Sequence, residues 1–173
     1  MRQARSFRLP GQRNSGFSLV ETSISTLLVG LLLVASTNTV GRSVRTQQLT
    51  AYMVTASALA DSLMSEILAS SYMEPGATYS FITRESGESG GSKANYDDVD
   101  DYDGWQEQPP QYRDGSSLPN LSSWKRKVLV EWVTIANGSV AKSNFETNLK
   151  RVTIEIHSNG IKILSRESLT SNP

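Results

Sequence analysis

The sequence contains no cysteine. Disulfides, thiolate metal sites and a cysteine nucleophile are therefore excluded, and cysteine usage gives no reading of the redox compartment. Histidine occurs once, at His157, which excludes a His-rich metal site within one chain. Net charge is also lacking: 17 basic residues balance 17 acidic ones, so bulk charge argues neither for nor against a polyanionic partner. Basic residues do not cluster with aromatics, and no nucleic-acid groove is indicated. No internal repeat is present. A length of 173 residues suits one compact domain plus an extension.

What is present is unevenly distributed. Residues 1–16 carry Arg2, Arg5, Arg8 and Arg13 and no acid, whereas residues 85–114 carry nine acids against Lys93 and Arg113. Between Phe17 and Val40 the only charge is Glu21, and residues 27–35 (LLVGLLLVA) are apolar throughout. At ~1.5 Å per residue, a helix over this stretch spans ~36 Å, enough to cross a bilayer core of ~30 Å. The arginines place its N-terminal end in the cytoplasm by the positive-inside rule. Three readings fit so far: a secretory signal peptide cut near Ser36, an uncleaved signal anchor, and a precursor cut before the apolar segment.

The junction Gly16-Phe17-Ser18-Leu19-Val20-Glu21 favours the third. With its basic leader, this string resembles the type IV prepilin signature, in which a leader ends in Gly and an acid occupies the fifth mature position. The signal is specific because an acid at the centre of a membrane helix costs ~2.5–3.5 kcal/mol, somewhat less near the interface. The resemblance implies cleavage after Gly16 and methylation of the Phe17 amine by prepilin peptidase. It implies an inner-membrane, single-pass protein with its head in the periplasm, then assembly with other pilin or pseudopilin subunits. In a fibre of parallel helices Glu21 would need a cationic partner, and the Phe17 ammonium of an adjacent, axially shifted subunit is the expected one. Ser18, Thr22, Thr26 and Gly30 recur every four residues, a small-residue stripe along which helices can approach closely in lipid.

Beyond Gly41 the apolar stripe narrows. Tyr52, Ala56, Leu59, Leu63 and Ile67, with Ala60 and Met64 beside them, form one face of an amphipathic helix reaching about Ser70, and Pro75-Gly76 marks the stop. Residues 85–120 read as loop, rich in Gly, Ser, Pro and Asp. Residues 127–135 and 149–157 alternate as strands, with Val152, Ile154 and Ile156 on one face. Asn159-Gly160 signals a type I′ hairpin into a strand from Ile161, and Asn137-Gly138 follows the first strand without a clear partner. Trp124-Lys125-Arg126-Lys127 reads as a solvated strand edge, and His157 as a surface residue. The division expected is a cleaved leader over 1–16, a transmembrane or filament-core helix over 17–41, and a head over 42–173. Within the head, helix covers 42–70, loop 71–124 and antiparallel sheet 125–167.

Two motifs invite chemistry. Gly87-Glu88-Ser89-Gly90-Gly91 matches G-x-S-x-G, but it lies in a Gly/Ser stretch without the strand–turn–helix that strains such a serine, so an esterase reading is rejected. The run Tyr96–Trp105 places Asp97, Asp98, Asp100, Asp101 and Asp103 close together, and hard cations such as Ca²⁺ take several carboxylate oxygens. The spacing does not match an EF-hand. The competing reading is a structured loop whose aromatics pin it to the head and whose carboxylates cap turns.

The fold expected is α+β and pilin-like: a long N-terminal helix, membrane-spanning in its first half and amphipathic in its second, packed on a small C-terminal antiparallel sheet. The function expected is a non-enzymatic minor pilin or pseudopilin of a type IV pilus or type II secretion pseudopilus. The alternative is a signal-anchored periplasmic module that binds a cation or a partner through its acidic loop.

Overall fold

The computed structural model describes residues 16–84, 87–88 and 92–172. The leader arginines and the serine of the G-x-S-x-G match lie outside these residues. One long helix, α1 (Leu19–Leu68), precedes five strands: β1 (Gln106–Glu107), β2 (Trp124–Ala136), β3 (Ser139–Lys142), β4 (Leu149–Ser158) and β5 (Ile161–Ser171). The arrangement is α+β, with the helix packed on an antiparallel sheet. The chain divides into two compact units that meet at Gln47 and Gln48.

In the N-terminal unit every described residue is exposed. Ser18 opens α1: its Oγ accepts the Val20 amide at 3.4 Å and its carbonyl accepts the Thr22 amide at 3.1 Å. Glu21 sits in the first turn, where a carboxylate complements the unpaired amides of the helix end.

In the C-terminal unit the sheet order is β1-β2-β4-β5, with β3 pairing β2 off this path. Trp124 to Trp132 pair with Ser158 to Lys150, and β4 pairs with β5 along its whole length. The Asn159-Gly160 turn has φ 50° and 80°, the left-handed pair that a type I′ hairpin requires. Asn137-Gly138 repeats this geometry at 52° and 76°, and the partner it delivers is β3. The expected helical stripe is the core face: Ala56, Leu59, Ala60, Leu63, Met64 and Ile67 are buried and cluster with Val128, Val130, Val152, Ile154 and Ile156. Each fully buried Leu or Ile contributes ~1.5–3 kcal/mol. Tyr52 remains half exposed and stacks on Trp124 at a centroid distance of 5.6 Å.

The helix ends at Leu68, close to the expected Ser70, and beyond it the chain pairs with the acidic loop: Ser71 donates to the Asp97 carbonyl and accepts from the Val99 amide, both at 3.0 Å. Two local expectations are corrected. The basic run at Trp124 is not a solvated edge. β2 lies between β1 and β4, and Trp124 and Arg126 are buried. His157 is half-buried on the outer sheet face, its Nε2 3.1 Å from Glu155 Oε2.

Candidate functional site

Within the N-terminal unit, Gly16, Phe17 and Glu21 lie at or just before the start of α1, and Ser18, Thr22, Thr26 and Gly30 follow at helical spacing of four. The hydroxyls of this segment are largely spent on its own backbone. Thr22 donates to the Leu19 carbonyl at 3.0 Å, Ser23 to the same oxygen at 2.8 Å, and Thr26 to the Thr22 carbonyl at 2.8 Å. Thr37 and Thr39 donate likewise to Val34 and Ala35. Such back-bonding makes a hydroxyl-rich helix compatible with an apolar surrounding, where unsatisfied donors cost several kcal/mol. A Cβ added at Gly30 meets nothing within 4 Å, leaving the stripe open to close approach. By length and composition α1 can cross a membrane.

In the C-terminal unit the acidic loop is built on two buried ionic clusters and an aromatic trio. Tyr96, Tyr102 and Trp105 are buried, with edge-to-face contacts of Tyr96 on the other two at 5.0 and 5.5 Å. Arg84 lies over Tyr96 and Trp105 and donates to the carbonyls of Asp101 and Asp103 at 2.6 and 2.7 Å.

Four of the five aspartates hold the loop together. Asp98 Oδ1 accepts the amides of Asp100 and Asp101, and Asp101 Oδ2 accepts those of Asp97 and Asp98. This reciprocal capping closes the 3₁₀ turn Asp100–Tyr102. Asp103 Oδ1 accepts the Val130 amide at 2.9 Å, tying the loop to β2. Asp100 Oδ2 lies 2.6 Å from Lys150 Nζ and accepts the Ser80 hydroxyl at 2.8 Å. Lys150 also donates to the Tyr72 carbonyl at 2.5 Å and stands 3.9 Å from the Tyr72 ring centroid.

The electrostatics follow from this crowding. Burial, with Asp100 and Asp101 alongside, pushes the Asp98 carboxyl up to about 7 against the two amides that favour its charge. Burial raises Asp100 as well, opposed by Lys150 and Ser80. Burial and the nearby Asp100 and Glu146 carboxylates push the Tyr72 phenol up to about 12.

The second cluster is balanced. Lys93 Nζ lies 3.1 Å from Glu66 Oε2 and 3.9 Å from Glu107 Oε2, and Arg126 pairs with Glu107. Gln111 gives its carbonyl to both cations, and the Tyr102 hydroxyl donates to Glu66 at 3.2 Å. Burial pulls the Lys93 ammonium down despite both glutamates. The cluster joins α1, the loop and β2 at one buried point.

Among the described residues, the carboxylate oxygens that gather within 4.8 Å of one another are those of Glu74, Glu88 and Asp97. Of the five aspartates expected to serve Ca²⁺, this group contains Asp97 alone. The sequence reading missed Lys93, Arg126 and Lys150. A signal existed for two of them: Arg126 is in phase with Val128 and Val130, and Lys150 with Val152, Ile154 and Ile156, so each occupies a core-facing position in its strand.

No protein-family model, curated protein or solved structure matches the chain. The functional reading therefore rests on the chain's own residues and on the resemblance at its N-terminal junction.

Proposed function

We propose that the chain is a minor pilin or pseudopilin, a structural subunit processed after Gly16, methylated at Phe17 and assembled through α1 in a type IV pilus or type II secretion pseudopilus. The observation that carries this reading is the first half of α1: it is exposed on every side, it holds the unbroken apolar run 27–35, and Glu21 in its first turn is its only charge before Arg42. Leu19, Leu27, Leu32 and Leu33 are each more than 60 % exposed. A helix that exposes so many large apolar side chains needs cover from lipid or from other helices. A plain membrane anchor accounts for the lipid but gives Glu21 no purpose and leaves the small-residue stripe unused. A subunit that leaves the inner membrane for a helical fibre accounts for all three, since Glu21 then meets the Phe17 ammonium of a neighbour and selects the axial register. The partners on this reading are prepilin peptidase, other subunits of the same class and the inner membrane, with the head on the periplasmic side. The test is the fate of Glu21→Ala, which should be processed and inserted normally yet be depleted from sheared filaments.

A further inference from the structure

A cavity of about 300 Å³ opens where the segment after α1 meets the acidic loop. Glu74, Asp98 and Asp100 line it, together with Tyr79 and Phe81. The chain alternates at its rim. Ser80 is 3 % exposed and is fastened by its hydroxyl to Asp100 and by its amide to Glu146 Oε1 at 3.4 Å, whereas Tyr79 and Phe81 on either side are 68 % and 66 % exposed. Two aromatic rings are thus held in water on a pinned backbone, beside a cavity lined with carboxylates.

Acidic groups outnumber the cation beside them. Of the lining residues, Asp98 and Asp100 are at most 2 % exposed and Glu74 adds a third carboxyl, and the cation paired with Asp100 is Lys150. Lys150 engages Asp100 Oδ2, while Asp100 Oδ1 has no hydrogen-bond partner although buried. Buried carboxylate oxygens without partners are costly, and a cation supplied from outside relieves that cost.

We propose that this cavity receives a lysine or arginine side chain from a partner protein, its cationic head toward Asp98 and Asp100 and its stem against Tyr79 and Phe81. A compact metal ion fits less well. The carboxylates that gather within 4.8 Å are Glu74, Glu88 and Asp97, which share only Glu74 with the cavity, so its own acids surround a volume instead of focusing on a point. An ammonium or guanidinium on an apolar stem matches both features, since the stem buries along rings and the head pairs with carboxylates. Burial first, and the Asp100 and Asp101 carboxylates second, raise the Asp98 carboxyl, as expected where acids crowd a desolvated wall. The site stands whether or not the chain is a pilin.

The test uses the full chain in detergent micelles and blocked, fluorescein-labelled pentapeptides of alanine with a central lysine, arginine or alanine, followed by anisotropy. The lysine and arginine peptides should bind saturably and the alanine peptide should not. Phe81→Ala and Glu74→Gln, which change an exposed ring and a rim acid, should each weaken binding by about five- to tenfold. Added salt should weaken it further. Equal binding of the alanine peptide, or full affinity in both variants, overturns the proposal. So does binding of calcium chloride or putrescine without binding of either basic peptide, and so does failure of all probes to bind.

Discussion

Lys150 and Asp100 meet with both side chains buried, Nζ to Oδ2 at 2.6 Å, and the contact joins β4 to the acidic loop 50 residues earlier. The lysine stands in the same row as Val152, Ile154 and Ile156. It is in effect a core residue whose partner is the loop.

Removing it should be severe. Lys150→Met leaves Asp100 buried without its cation and is expected to cost ~3–5 kcal/mol, a large part of a typical margin of 5–15 kcal/mol. Adding Asp100→Asn in that background should recover much of the loss. Thermal denaturation of the three chains in detergent checks both steps, and an unchanged midpoint for Lys150→Met would show that the contact contributes nothing.

Asp98 sets the expected pH dependence. Its folded carboxyl lies at about 7, whereas an unfolded aspartate titrates near ~3.9. Between these values the folded chain holds a proton that the unfolded chain has released. The stabilisation is therefore fully present below ~3.9 and is lost as pH rises through about 7. Asp98→Asn, whose amide oxygen can still accept from Asp100 and Asp101, should flatten this slope. Denaturation at pH 5.5 and 8 compares the two chains, and identical slopes would remove Asp98 from the account.

The helical stripe and the strand pairing were legible because each follows a simple period. Leu59, Leu63 and Ile67 recur with the helical repeat, Val152, Ile154 and Ile156 with the strand repeat, and Asn159-Gly160 announces its own turn. The acidic loop was legible as a structured loop, its aromatics pinned to the head and its carboxylates capping turns, but not in its ion pairs. Its order comes from pairings such as Lys93 with Glu66 and Arg126 with Glu107, across 27 and 19 residues, and no local period encodes those. Alternation did mark Arg126 and Lys150 as inward-facing, but a sequence does not say which distant acid will neutralise an inward cation. Of the two readings of the aspartates, the structured loop with turn-capping carboxylates is what Asp98 and Asp101 form, each accepting backbone amides of the other's neighbourhood.

Leu63 tests whether the stripe is core. It has no exposed surface, and Leu63→Asp would bury an unpaired charge there at a cost of several kcal/mol. Loss of cooperative melting is expected, and retention of the wild-type midpoint would show that α1 is not packed on the sheet through this face.

Glu21→Ala separates assembly from insertion. Removing the acid makes α1 more apolar, so membrane insertion and cleavage should persist. Incorporation into sheared filaments should fall by at least about tenfold, corresponding to ~1.4 kcal/mol or more of lost pairing. Wild-type incorporation would refute the registration role.

The mature N-terminus tests the central claim most directly. N-terminal peptide mass spectrometry of the protein purified from peptidase-competent cells should find a chain beginning with N-methylated Phe17. A chain that still begins at Met1, or one that begins after Ser36, would contradict the pilin reading.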